Sequence, residues 1–289
     1  MDYGTWPGLR ITVDDGVATV TLDHPPLNLM DRVLLPSLRG FVHQVRTDED
    51  VRVIVFQSAD PEFFIAHGDM AYVTEPDALE IATQAAIEAA PEAQVPEGLN
   101  ILQALALEVR ALPQVTIGKL SGLARGAGNE FLLALDLRFA AVGVAGQAQP
   151  EAHLAILPGG GGTVNLTRLV GRARALELLV GGQLVGAEVA ERYGLVNRAL
   201  PADEIDAFVE TLARRMARVK PAVVAAMKRV VDAAAPAAAD DVYAVENAAL
   251  FSLFTDDMAE AARRQLAAGV QTRAGERDLE GLIDRLDAS

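Results

Sequence analysis

The sequence predicts an α/β fold that ends in an all-helical region, and three observations predict it. β-Branched runs alternate with apolar residues at helical spacing through the first 200 residues, glycine-rich loops follow three of the strand candidates, and from Pro201 onward only helical periodicity remains. The expected division is therefore an α/β core over residues 1–200, carrying the chemistry, and a helical C-terminal region over residues 201–289.

The elements follow in chain order. Arg10 to Leu22 holds two β-branched runs around Asp15-Gly16, a hairpin signal because both turn residues tolerate positive φ. Tyr3 and Trp6, just before it, are expected to pack at the chain's start. Val51-Arg-Val-Ile-Val-Phe56 is nearly all apolar, as in a strand covered on both faces. Between Pro76 and Pro96 an Ala/Glu-rich stretch, Ala78 to Gln94, reads as a mobile surface insertion rather than a lid helix. Leu99, Leu102, Leu105, Val109 and Leu112 mark a helix that Pro113 closes before a strand at Val115-Thr-Ile117. Leu137 to Val142 and Leu195 to Leu200 are further short strands. Beyond Pro201, one helix carries Ile205, Phe208, Val209, Leu212 and Met216, a second runs from Val223 to Val231, and a third, longer one from Val242 to Leu266.

Composition excludes several classes. The 289 residues carry 40 acidic and 25 basic side chains, a net charge of −15, with 51% hydrophobic residues. Such a chain can bury a core, so it is no disordered acidic tail; lacking a basic patch, it is a poor partner for nucleic acid or an anionic membrane. The only lysines are Lys119, Lys220 and Lys228, and the adjacent arginine pairs are just Arg214/Arg215 and Arg263/Arg264, so an anionic ligand must be met locally. The absence of cysteine removes disulfides, thiol nucleophiles and cysteine metal sites. The start lacks a basic and apolar leader and no apolar run approaches the ~20 residues that span a bilayer, so a soluble, cytoplasmic protein is expected.

Three glycine-bearing loops concentrate polar residues: Ala66-His-Gly-Asp-Met70, Gly122 to Glu130, and Gln149 to Thr163. Glycine allows a close backbone approach, so such loops can aim N–H groups at an oxyanion. Phe131 to Leu135 reads as the start of a buried helix, which puts Ala127 to Glu130 at its positive end. Spacing alone leaves a plainer alternative open, since glycine turns are common and a glutamate in a first turn often only complements the dipole. Gly122, Gly126 and Gly128 do not form a dinucleotide fingerprint, and Gly159 to Gly162 lacks the Lys-Ser/Thr of a P-loop.

Seven segments in order resemble the crotonase family, the enoyl-CoA hydratase/isomerase group: His24 to Asn28, Val51 to Val55, Phe64 to Met70, Gly122 to Asp136, Gln149 to Glu151, Leu157 to Thr163 and Ala190 to Asn197. Phe251 to Asp257 resembles the start of the family's C-terminal helix. The resemblance implies a crotonase-like spiral of ββα units whose C-terminal helices cover the pocket and make the contacts of a homotrimer or hexamer. It implies an acyl-CoA thioester substrate, with coenzyme A as part of the substrate and no separate cofactor or metal. The oxyanion donors would be the backbone N–H groups of Gly68 and Ala127. Glu130 would activate a water and Glu151 protonate C2, which is the pair that hydration of a 2-enoyl thioester needs. Substrate contacts are expected from Leu27, Ala66, His67, Asp69, Met70, Gly126 and Pro150. Two other readings stay open: another crotonase reaction, such as isomerisation or thioester hydrolysis, and a non-catalytic acyl-CoA-binding or assembly subunit.

Several positions depart from the family pattern. His67 stands where glycine is common and is expected to pack or hydrogen-bond rather than touch the thioester; Ala127 replaces a common glycine, His24 a frequent arginine and Ala155 a frequent glycine. The stretch Ala267 to Glu276 lacks the usual phenylalanine and basic ending that help hold the nucleotide. His43 and His153 give no metal-ligand spacing, Ser58 and Ser121 read as turn serines, and Asp69 reads as a loop-fixing residue as well.

Overall fold

The computed structural model describes Tyr3, Gly4, residues 6–235 and residues 240–288. β1 (Leu9–Asp14) and β2 (Val17–Leu22) pair antiparallel with Asp14 opposite Val17, so Asp15 (φ 47°) and Gly16 (φ 81°) make the expected two-residue turn. α1 (Leu34–Val45) follows, then β3 (Val53–Ser58), β4 (Phe63–Ile65), α2 (Ala71–Thr74), α3 (Ala78–Ala89) and α4 (Ile101–Arg110). Next come β5 (Val115–Leu120), β6 (Leu123–Arg125), α5 (Ala127–Ala134), β7 (Leu137–Ala141) and β8 (Gly146–Ala148), a 3₁₀ turn over Glu151–Leu154, α6 (Gly162–Val170) and α7 (Arg172–Gly181). β9 (Val185–Gly186), α8 (Ala187–Tyr193) and β10 (Arg198–Leu200) complete the mixed part. α9 (Ile205–Ala217), α10 (Pro221–Ala234), α11 (Asp240–Ser252), α12 (Asp256–Ala268), α13 (Arg273–Arg277) and α14 (Leu279–Asp287) end the chain.

From β3 to β8 successive strands alternate between two sheets. One has the order β1-β2-β3-β5-β7-β10, the other β4-β6-β8-β9, and from β2 onward the larger sheet is parallel. The pairs β3/β4, β5/β6 and β7/β8 therefore each place one strand in the large sheet and the next in the small one before a helix returns, which is the expected ββα winding. Phe41, Phe56 and Phe131 form an edge-to-face column through the core, with centroids 6.2 and 5.2 Å apart, and Tyr3 joins it at 5.5 Å from Phe41. Trp6 is held by its Nε1–H donating to Gln44 Oε1 at 3.0 Å. Among the described residues no helix is long and apolar enough to cross a membrane.

Three expectations need correction. The stretch Ala78 to Gln94 is not a loose insertion: Ala78–Ala89 is helical, with Ala82 and Ala86 fully buried. Small residues let α3 lie close against α1, and the fully buried Arg39 of α1 donates to the carbonyls of Ala86 and Ala93, each at 2.8 Å, while pairing with Glu108. The third C-terminal helix is two. Thr255 is extended (φ −124°, ψ 172°), and Asp256 and Asp257 open a new helix whose dipole they complement. Only Arg198–Leu200 of the strand expected over 195–200 pairs with β7, because Gly194 (φ 85°) ends α8 and the N–H groups of Leu195 and Val196 turn back to Ala190.

From Ile205 on, every described element is a helix, yet α9 is no appendage: Ile205, Val209, Ala213 and Ala217 belong to the main core.

Candidate active site

α5 begins where β6 crosses to the small sheet. Its cap, Gly126, has φ 48° and ψ −128°, and a Cβ there would lie 3.1 Å from Glu151 Oε1, so glycine alone permits both the backbone path and the carboxylate beside it. Ala127 occupies the first helical position, where the N–H has no partner within the helix. A Cβ on Gly68 would meet Ala127 Cβ at 3.4 Å, so the two backbone donors border one small space. The Gly68 loop is pinned by a bridge to the segment before α1: Met30 N–H donates to His67 O at 2.9 Å and Asp69 N–H to Met30 O at 3.2 Å.

A cavity of about 390 Å³ opens here. His67, Gly68, Asp69, Met70, Gly126, Ala127, Glu130, Pro150 and Glu151 all border it, so three separated sequence loops converge on one place. Leu27 and Ala66 do not border it. Both are buried under the loop with Phe63, and Ala66 N–H donates to Leu27 O at 3.2 Å, so they support the loop from below. The rest of the wall is largely apolar, with Leu79 and Ile87 of the corrected helix α3, Leu102 of α4, Leu250, Phe251 and Phe254 of the C-terminal region, and Ile283 of α14.

The two glutamates differ in their surroundings. Glu130 Oε1 accepts from Gly160 N–H at 2.7 Å and from Gly162 N–H at 2.8 Å. Its acidity is nevertheless suppressed, with a pKa well above the ordinary value, because burial and then the charges of Glu151 and Glu246 outweigh those two bonds. Burial pushes Glu151 up to about 7, against a lowering contribution from His67, and its Oε2 is buried with no hydrogen-bond partner among the described residues. Two such neighbours titrate as a pair.

His67 is neither free nor facing the cavity alone. Its Nδ1 lies 2.6 Å from Gly68 O and its Nε2 3.0 Å from Glu276 Oε1. Both partners are acceptors, so the arrangement favours the imidazolium, in which both ring nitrogens donate. Burial by itself lowers the His67 pKa, but the charge and hydrogen bond of Glu276, with the bond to Gly68 O, raise it overall. Glu276 is fully buried, and Arg125, also fully buried, lies 3.8 Å from its other oxygen and is gripped by Glu280 at 2.7 Å. Gln271 Nε2–H donates to Asp69 Oδ1 at 2.9 Å, and Arg273 pairs with Asp60 and Glu62. The segment without the basic ending thus ties α13 to both loops of the site.

Glu276→Ala is expected to lower the unfolding free energy by about 3–5 kcal/mol, since it strands buried cations. A denaturant titration showing under about 1 kcal/mol would contradict this. The His67 part of that stability is complete below the ordinary value of 6.5 and is lost as pH rises through the raised value.

Sequence reasoning missed Glu246, Glu276 and Arg125, whose partners lie far away along the chain. It also missed Tyr72, which borders the cavity with a buried hydroxyl that has no partner among the described residues. Ser58 is a turn residue as expected: its Oγ–H donates to Phe63 O at 2.7 Å and accepts from Asp60 N–H. Among the described residues no three acidic or imidazole side chains are grouped to hold a metal ion.

A family model described as enoyl-CoA hydratase/isomerase matches residues 12–272. The chain is 31% identical over 220 residues to the "Probable enoyl-CoA hydratase 2, mitochondrial" of Arabidopsis thaliana, covering 76% of this chain and 68% of that protein. A crystal structure of a candidate enoyl-CoA hydratase from Streptomyces avermitilis superposes with TM-score 0.89 at 42% identity, covering 99% of this chain and 100% of that one. An enoyl-CoA hydratase structure from Geobacillus kaustophilus gives TM-score 0.69 at 27% identity over 91% of this chain and 94% of that one.

Proposed function

Because the chain belongs to the enoyl-CoA hydratase/isomerase family, whose model spans residues 12–272, we propose that it hydrates a 2-enoyl-CoA to a 3-hydroxyacyl-CoA. The family acts on acyl-CoA thioesters; the hydration step is the finer claim. The observation that carries it is the pair of buried carboxylates, Glu130 and Glu151, on the same cavity as the N–H groups of Gly68 and Ala127. An isomerase needs one carboxylate to move a proton, whereas adding water needs a base at the water and an acid for C2.

Glu130 takes a proton from water as its oxygen bonds to C3, the thioester oxygen gains negative charge, and the N–H groups of Gly68 and Ala127 hold that charge. Glu151 then gives its proton to C2 as the enolate collapses. Hydrogen bonding supports this division. The two N–H bonds to Glu130 favour its charged form once Glu151 carries the proton, and the unpartnered Oε2 of Glu151 favours the neutral form there. The CoA phosphates would lie toward the outer mouth, which shares Tyr72, Phe251 and Phe254 with the cavity and, among the described residues, is bordered by one cation, Arg263, beside Glu75, Glu80 and Asp256. Self-association, as a trimer or hexamer, fits α10, which exposes Val223, Met227, Val230 and Val231 to solvent in the single chain.

Mixed with crotonyl-CoA and with longer 2-enoyl-CoAs, the protein is expected to remove the conjugated-thioester absorbance. Binding of these esters without hydration would overturn the proposal in favour of a binding subunit. Conversion of 3-enoyl to 2-enoyl esters without water uptake would make it an isomerase.

A further inference from the structure

The glycine run before α6 is gripped from two sides by two buried glutamates. Gly160 and Gly162 donate to Glu130, whereas Gly161 N–H donates to Glu246 Oε2 at 2.8 Å and Thr163 N–H to Glu246 Oε1 at 3.0 Å. The Thr163 hydroxyl donates to Glu246 as well, and Gln103 Nε2–H completes its shell at 2.9 Å. Alternate N–H groups of one short stretch thus point to opposite carboxylates. Neither carboxylate can shift without moving the loop that holds the other. The closeness depends on glycine, because a Cβ at 160 or 162 would come within 2.8 or 2.7 Å of a Glu130 oxygen.

Glu246 sits on α11, which is itself braced. Tyr243 Oη–H donates to Asn165 Oδ1 at 3.0 Å, Gln103 Nε2–H to Tyr243 O at 2.9 Å, and Asn100 Nδ2–H to both Gly159 O and Asn247 Oδ1. The helix therefore presents Glu246 to the loop from a fixed base. We propose that Glu246 is a positioning residue for the Glu130/Glu151 pair: it fixes the Gly160–Thr163 loop from the far side and sets its own negative charge against the pair. This rests on the hydratase reading for its catalytic consequence only.

The charged groups that face Glu246 are Glu130 of α5 and Glu151 of the 3₁₀ turn; Arg110 of α4 and Arg168 of α6 act on Tyr243, one turn earlier on its own helix. Glu246 raises the pKa of both carboxylates, in the same direction as burial does. Removing its charge should therefore let the pair ionise at lower pH. A glutamate that merely packed α11 would leave that titration in place.

The test follows the carboxyl ¹³C signals of Glu130 and Glu151 with pH in the full chain, assigned with Glu130→Gln and Glu151→Gln, and measures turnover of an enoyl-CoA alongside. Glu246→Gln keeps the shape and removes the charge, so the pair's titration should fall by about half a pH unit or more. Turnover should drop about tenfold with KM changed less than about twofold, because an amide nitrogen cannot accept the Gly161 N–H bond and the loop that seats Glu130 shifts while the substrate contacts stay. Glu246→Asp keeps the charge but shortens the reach, so turnover should fall with the titration near the parental one. An unmoved titration in folded Glu246→Gln, or parental turnover in Glu246→Asp, overturns the proposal; if Glu246→Gln does not fold, the aspartate variant decides. A parental protein inactive on every enoyl-CoA would sink the hydratase reading, and the titration would still judge Glu246.

Discussion

Glu151→Gln is expected to cut turnover by about 10²–10⁴-fold, keep the fold, and raise thermal stability above pH 7. Each part has its own cause. The amide retains the shape of the side chain but has no proton to give to C2. Stability moves the other way because Glu151 is a buried carboxyl whose Oε2 lacks a partner. The folded protein holds the Glu151 proton up to about pH 7, against 4.5 for an ordinary glutamate. The stability this contributes is present in full below about 4.5 and is lost as pH rises through about 7, a loss of about 3 kcal/mol. Glutamine does not ionise, so the variant should melt several degrees above the parent at pH 8 and show little difference at pH 5. If Glu151 served only to complete the turn after Pro150, the variant would keep near-parental turnover, and that result would sink the assignment.

Ala127→Pro should lower kcat by about 10²–10³-fold with the helix intact. Proline has no N–H, so the substitution removes one oxyanion donor outright. Elsewhere in a helix it would be ruinous, but Ala127 is the first helical residue, where no intrahelical bond is lost and the φ of proline suits the start. The residue before it is Gly126, which lacks the Cβ that a following proline ring would strike. Far-ultraviolet circular dichroism should match the parent's while turnover collapses. A folded variant with parental kcat would mean that Ala127 N–H does not hold the thioester oxygen.

Local chemistry made part of this molecule readable in advance. Asp15-Gly16 announces its hairpin because the turn demands two positive φ values, and the spacing of Leu102, Leu105 and Val109 announces α4, whose capping by Asn100 with Gln103 only the structure shows. Glu130 and Glu151 stand out because each follows a glycine or proline turn within a segment of family-like sequence. The break between α11 and α12 is hidden for the opposite reason: apolar spacing continues across Leu253 to Thr255, and only the packing of Phe251 on Phe254, 5.2 Å apart, and the reset at Thr255 reveal it. The helix α3 is hidden because alanine and glutamate dominate loose surface segments as well, and it is tied down by Arg39, 39 residues upstream of its start. Glu246 and Glu276 are unreadable in principle from spacing. One finds its partners among backbone N–H groups 83 and 85 residues away, the other on a histidine 209 residues away, and no local pattern encodes such distances.

The acidic surplus also takes on a different meaning. Burial raises the pKa of Glu130, Glu151 and Glu246 alike, the charge of Glu246 adds to this at the other two and that of Glu151 at Glu130, so part of the charge counted in the sequence is withheld at neutral pH. A hydratase needs that reserve, since a carboxyl that is always ionised has no proton to deliver.

The most direct test of the central claim follows oxygen rather than absorbance. The protein is incubated with a 2-enoyl-CoA in ¹⁸O-enriched water and the product is analysed by mass spectrometry. One solvent oxygen at C3 of a 3-hydroxyacyl-CoA, lost in Glu151→Gln, is the predicted result. Consumption of the ester with no label at C3, or label found only in a free carboxylate, would contradict it.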